Sequence, residues 1–201
     1  ILKENNAMLK KSIKFLFSFL CGIALISLTI YFASCIKPGD LDTRVKELSS
    51  YCASKGCNTN YGILVDYGRC SIQKRLFVVN LQTGKIIMRS LCGHGFGGKS
   101  TILKAEFSNI PNTKCSSLGH YRVGRERRMY NRPAVSIRLP MAFELDGLDK
   151  TNSNARSRYI LIHESLYPMS EGCITLPINQ YNKLSKFLHT QKGSIIMWAY
   201  Q

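Results

Sequence analysis

The chain has 201 residues, with 28 Lys plus Arg against 12 Asp plus Glu and a net charge of +16. That length holds one domain with a full core or two small ones, and 45% hydrophobic residues exclude wholesale disorder and a collagen-like chain. The basic excess predicts attraction to anionic polymers or membrane surfaces, not a particular fold.

Residues 1–36 read as a targeting segment. Lys10, Lys11 and Lys14 precede an uncharged apolar run from Phe15 to Ile36. As a helix that run reaches roughly 33 Å, enough to span a bilayer. Met8 is a more natural start than Ile1. The run ends in Phe32-Ala33-Ser34-Cys35, which resembles a bacterial lipobox with Phe32 as its weakest match. Lipidation at Cys35 and a plain uncleaved anchor are both open. Lysines ahead of the run keep the N-terminus cytoplasmic, so the remainder is expected outside, membrane-anchored in a cell envelope or periplasm. Residues 1–36 carry four lysines and one glutamate, which leaves the remainder near +13. In that compartment a nucleic-acid partner is not expected. The cluster Arg122, Arg125, Arg127, Arg128 and Arg132 reads either as solvated surface or as an electrostatic contact to an anionic envelope.

Residues 37–60 read as a linker with a short amphipathic helix. Leu41, Val45, Leu48 and Cys52 recur at helical spacing, and Gly56 ends the pattern. From 61 to 201 the pattern is mainly β. Ile63-Leu64-Val65 is a buried-type run, and Arg75–Leu81 with Ile86–Leu91 predicts a hairpin around Gly84. Further predicted strands are Gly119–Val123, Ala134–Leu139, Phe143–Leu145, Tyr159–His163 and Ser194–Tyr200. One late helix starts at Pro177, with Ile178, Tyr181, Leu184 and Leu188 as its stripe. The expectation is a mainly β sandwich or barrel with one or two short helices, preceded by an N-terminal hydrophobic helix. Of the eight cysteines, Cys52 and Cys57 flank a turn and are a possible pair. No CxxC pair supports a metal site, and no metal is expected.

Two segments carry chemistry. Tyr159-Ile160-Leu161-Ile162-His163 is an apolar strand ending in His, and Ser170-Glu171-Gly172-Cys173 places a Cys after a Gly in a polar turn. A thiolate is the attacking species in thiol catalysis, and an imidazole beside it is its base. Gly172 lets the backbone turn N–H groups toward an oxyanion. From spacing alone a structural Cys with a satisfied His is the favoured reading.

The blocks that carry a resemblance are ordered along residues 61–201. They are Arg75-Leu76-Phe77-Val78-Val79-Asn80-Leu81, His94-Gly95-Phe96-Gly97-Gly98, Phe107-Ser108-Asn109 and Ser116-Ser117-Leu118-Gly119-His120-Tyr121. Leu145-Asp146-Gly147-Leu148-Asp149, Asn152-Ser153-Asn154-Ala155-Arg156, Ile162-His163, Ser170-Glu171-Gly172-Cys173 and Leu176-Pro177 follow. Together they resemble the L,D-transpeptidases of the YkuD type, in particular the murein L,D-transpeptidase catalytic domain family.

The resemblance implies Cys173 as nucleophile, His163 as base, Ser170 shaping the turn, and Gly172 with Cys173 supplying oxyanion donors. It implies a peptidoglycan stem peptide as substrate, a thioester intermediate, loss of D-alanine and transfer to an amine, with no cofactor. Hydrolysis of the same bond and a non-catalytic cell-wall binding module are the alternatives. His94, Gly95, Tyr121, Asn154 and Arg156 are expected to bind substrate, with a loop-building role as the competing reading for His94, Asn154 and Arg156. Asp146 and Asp149 are better explained as turn residues. A monomer is expected. Glu164 and Glu171 stand where the family usually has Gly and His or an aromatic residue, and the segment between His163 and Cys173 is short. Two nearby carboxylates raise the thiol pKa unless His163 or an arginine offsets them.

Overall fold

The computed structural model describes residues 2–35, 40–128 and 141–201, with backbone alone for 2–9 and 30–35. Arg132 and the predicted strand Ala134–Leu139 lie outside the described residues, as does the side chain of Cys35. Two units are distinguished, residues 1–37 and 38–201. The first is the helix α1 (Leu2–Cys35). Within it, Lys10–Thr29 is long and apolar enough to cross a membrane, a test that signal sequences also meet.

The second unit opens with α2 (Leu41–Ser54). The Asp40 carboxylate accepts from the Thr43 N–H at 3.1 Å, satisfying one of the orphan donors of the first turn. The strands are β1 (Tyr61–Asp66), β2 (Leu76–Asn80), β3 (Ile86–Ser90), β4 (His94–Gly95), β5 (Gly119–Arg127), β6 (Ala142–Gly147), β7 (Leu161–Glu164), β8 (Met169–Ser170), β9 (Ile174–Leu176) and β10 (Ile196–Tyr200), with α3 (Ile178–His189) before the last. Eight of them form one sheet in the order β3-β2-β1-β10-β5-β6-β7-β9, and β4 pairs with β8. β1 with β10 and β7 with β9 are parallel; the other pairings in the large sheet are antiparallel. The Gly93 N–H donates to the Thr175 carbonyl at 2.8 Å, which ties the chain just past β3 to β9 at the far end of the order. The sheet is therefore nearly closed, and the expected mainly β, barrel-like class is what forms.

Strand alternation explains the core. Ile63 and Val65 of β1 meet Leu76, Val78, Ile162, Ile174 and Met197 on one side, where Tyr181 and Leu184 of α3 also pack. Leu64 points the other way, to Phe77, Val79 and Ile196, and Val45, Leu48 and Cys52 of α2 cover that face. A strand buried on both faces reads as an unbroken apolar run, as Ile63-Leu64-Val65 does. Burying each such Leu or Ile contributes about 1.5–3 kcal/mol. The helix predicted in residues 37–60 thus closes one side of the domain.

Several boundaries differ from expectation. β5 runs on to Arg127, because its second half still pairs with β6 past a register shift after Val123. β7 begins only at Leu161, because Tyr159 adopts a left-handed φ of 55° that no strand accommodates. Pro177 is the N-cap of α3, not its first residue.

Candidate active site

β7 and β9 lie side by side with His163 opposite Thr175. Cys173 immediately precedes β9. Paired residues of neighbouring strands share a face, so Thr175 lies on the side of the sheet that His163 occupies, and Cys173 stands two residues ahead of Thr175 in the chain. The His163 ring is buried, and its Nδ1 lies 2.7 Å from the carbonyl oxygen of Glu164. A carbonyl can only accept, so Nδ1 carries the hydrogen and Nε2 keeps its lone pair. Among the described residues nothing hydrogen-bonds Nε2. Burial lowers the His163 pKa, against the smaller opposing effect of the Glu164 carbonyl. The ring is thus neutral at pH 7, with one nitrogen able to take a proton. Glu164, whose carboxylate is expected to raise the thiol pKa, contributes its backbone carbonyl to orienting the imidazole.

The turn before Cys173 is tied down on each side. Ser170 Oγ donates to the Cys173 carbonyl at 2.8 Å, with the His94 carbonyl at 3.4 Å. Gly172 has φ of 111°, and a Cβ there would sit 2.8 Å from both the Cys115 carbonyl oxygen and Ile160 Cδ1. Any L side chain at this position is excluded by conformation and by space. The Gly172 carbonyl accepts from Ser116 Oγ at 3.1 Å, and that hydroxyl in turn accepts from the Gly95 N–H at 2.9 Å. The Cys173 sulfur is half-buried and donates to the Tyr159 carbonyl at 3.6 Å. Cys21, Cys52, Cys57, Cys70, Cys92, Cys115 and Cys173 form no disulfide with one another.

Arg158 is the residue that sequence reasoning passed over. Its half-buried guanidinium donates from Nη1 to the Ser108 carbonyl and Ser117 Oγ, both at 2.7 Å, and from Nη2 to the Cys115 carbonyl at 2.6 Å. The available signal was its place one residue before Tyr159-Ile160-Leu161, in a run with two arginines two residues apart. Attention went to Arg156 instead. Arg156 is 55% exposed in its side chain and pairs with Glu144 at 2.8 Å and Asp146 at 3.0 Å.

The other residues expected to touch substrate are turned to structural use. His94 is fully buried: Arg75 Nη2 donates to its Nδ1 at 2.7 Å, and its Nε2–H donates to the Thr101 carbonyl at 2.9 Å. Burial first, then the Arg75 charge, push its pKa down to about 4. Arg75, itself fully buried, also holds the Cys92 and Arg69 carbonyls and lies 4.9 Å from the centre of the Tyr67 ring. The Tyr121 side chain is fully buried, and its hydroxyl donates to the Ser117 carbonyl at 2.8 Å. Gly95 packs so closely that a Cβ would lie 2.2 Å from the Lys114 carbonyl oxygen. The Asn154 amide donates to the Asn109 carbonyl at 3.0 Å. In this geometry His94 and Tyr121 offer a substrate no surface; they shape the loops that back the Cys173 turn. Asp149, read as a turn residue, accepts from the His120 N–H at 2.7 Å and lies 2.9 Å from its Nδ1. Glu171 points away to an exposed pair with Lys114 at 3.1 Å.

The sequence model of a family described as L,D-transpeptidase catalytic domain matches residues 35–200. No curated protein sequence matches the chain. Among solved structures, an L,D-transpeptidase of Xylanimonas cellulosilytica is similar at 14% identity over 75% of this chain and 68% of that one, with a TM-score of 0.47. One from Stackebrandtia nassauensis gives 13% identity, 81% and 67% coverage and a TM-score of 0.46. The helical cell shape determining protein Pgp2 of Campylobacter jejuni gives 18%, 70%, 47% and 0.43. The match of the family's sequence model, not these distant likenesses, decides what the chain is.

Proposed function

Because the chain belongs to the L,D-transpeptidase catalytic domain family, we propose that it is a peptidoglycan L,D-transpeptidase working through Cys173. The observation that supports this reading is the pairing of β7 with β9, the strand that follows Cys173 directly, with the His163 ring oriented by the Glu164 carbonyl.

In the first step His163 Nε2 takes the thiol proton, and the Cys173 sulfur attacks the carbonyl carbon between an L-centre and the terminal D-residue of a stem peptide. Backbone N–H groups at Gly172 and Cys173 receive the oxyanion. The tetrahedral adduct collapses, the C–N bond breaks, and the proton held by His163 leaves with the D-alanine amine. A thioester remains. An amine of a second stem peptide then attacks it, losing a proton to His163. The C–S bond breaks, and His163 returns that proton to the sulfur, which restores the Cys173 thiol and the neutral imidazole. Splitting one acyl exchange into two steps lowers each barrier. The apolar helix α1 suits a membrane tether or export signal that places the domain in the cell envelope, with Cys35 as a lipidation site if the leader is cleaved there.

The test is mass spectrometry of the protein incubated with a stem tetrapeptide. Addition of the acyl mass at Cys173, absent in Cys173→Ala, is the expected result. A cross-linked dimer as product identifies transfer, and free tripeptide identifies hydrolysis. Binding to sacculi with no adduct would replace the reading with a wall-binding module.

A further inference from the structure

Arg158 has no part in the proton transfers just described, yet it is built into the same turn. Three acceptors from the segment 108–117 fix its guanidinium, two of them backbone carbonyls. One of these, the Cys115 carbonyl, is also the atom against which Gly172 packs, at 2.8 Å from where a Cβ would be. The guanidinium and the Gly172–Cys173 turn therefore grip a single peptide group from two directions. The next residue, Tyr159, holds a left-handed φ of 55° and aims its carbonyl at the Cys173 sulfur. Sparsely populated backbone of that kind costs of order 1–3 kcal/mol and persists only where its surroundings hold it. Arg158, anchored on one side, and Leu161 in β7, anchored on the other, supply that hold.

From this geometry we infer that Arg158 is a positioning residue for Cys173, fixing the turn that carries the sulfur and setting a permanent positive charge beside it. The inference rests on the reading of Cys173 as nucleophile. Burial is the largest influence on Arg158, and its electrostatic partners are Tyr121, Cys115 and, least strongly, Cys173. A fixed cation favours the thiolate over the thiol. It answers the two carboxylates, Glu164 and Glu171, that flank the site in sequence. Glu171 is further drawn off by Lys114. Arginine suits the task because it stays charged and its planar fork serves several acceptors at once.

The experiment is the pH dependence of alkylation of Cys173 by iodoacetamide, followed on the full chain by peptide mass mapping so that the other cysteines do not interfere. In Arg158→Gln the midpoint is expected to rise by about one pH unit, so that alkylation at pH 7 slows roughly tenfold. Arg158→Lys keeps the charge and is expected to recover most of the shift. Ser117→Ala, which removes one acceptor and leaves the arginine, is expected to raise the midpoint by less; it also serves if Arg158→Gln does not fold. A folded Arg158→Gln, or Ser117→Ala in its place, with the wild-type midpoint would overturn the inference. Failure of the wild-type thiol to be acylated by the stem tetrapeptide would remove the transpeptidase reading, yet leave an Arg158-dependent midpoint intact. Acylation with a midpoint indifferent to Arg158 would do the reverse.

Discussion

Two buried histidines sit on strands of this domain, His94 on β4 and His163 on β7, and their surroundings differ in one respect that bears on their use. His94 is engaged at both ring nitrogens, by the Arg75 guanidinium and the Thr101 carbonyl. Among the described residues His163 is engaged at Nδ1 alone, by the Glu164 carbonyl. Burial keeps both neutral, so charge state does not separate them. What separates them is a spare lone pair. A ring with a donor on one side and an acceptor on the other is a strut. With a single acceptor on Nδ1–H, the ring is oriented and keeps a lone pair, as the proposed base requires. Hydrogen-bond accounting around each ring therefore carries more functional information than its position in a motif-like stretch.

The largest effect that bears on this comparison is at the base. His163→Ala is expected to slow acylation of Cys173 by about 10²–10⁴-fold in a protein that still folds. An equal loss of acylation in a fully folded His94→Ala would break the distinction.

The second effect is on stability. His94→Ala leaves a donor of Arg75 and the Thr101 carbonyl without their partner and opens a void, at a cost of about 2–4 kcal/mol in urea unfolding. The pH dependence sharpens this. In the unfolded chain His94 takes a proton near 6.5; in the folded chain it does so only near pH 4. Its stabilising contribution is thus complete above about pH 6.5 and is lost as pH falls toward 4, at most about 3 kcal/mol. His163 shifts in the same direction. Urea midpoints measured across that window should fall with acid in wild type and fall less in His94→Ala. The smallest effect concerns the two arginines. Arg156→Ala removes an exposed charge paired with Glu144 and Asp146 and is expected to change stability by about 0.5 kcal/mol or less and the Cys173 alkylation midpoint not at all. A midpoint shift in Arg156→Ala matching that in Arg158→Gln would show that diffuse charge, not a fixed guanidinium, acts on the sulfur.

Much of the fold was legible because its signals are local. The α2 stripe, the β2–β3 hairpin, the doubly buried run in β1 and the α3 stripe all follow from periodicities of 3.6 or two residues. The strand ending in His163 and the glycine turn before Cys173 were legible for the same reason. What was not legible depends on partners distant in sequence. The parallel pairing of β7 with β9 is not encoded in either strand. Nothing near His94 announces that Arg75 will be buried beside it. The choice between Arg156 and Arg158 turns on which one meets the carbonyls of 108–117, and two arginines in one polar turn look alike until the turn is folded.

β10 deserves a last consequence. It joins the two halves of the large sheet, touching β1 on one side and β5 on the other. Its residues, Ile196–Tyr200, are made after every other strand. Until they emerge, β3-β2-β1 and β5-β6-β7-β9 are linked at their outer ends, through the Gly93–Thr175 hydrogen bond, and each has a raw inner edge. Assembly of the domain therefore waits for its last strand. A nascent chain cut short before Ile196 would expose two edges ready to stick to other chains.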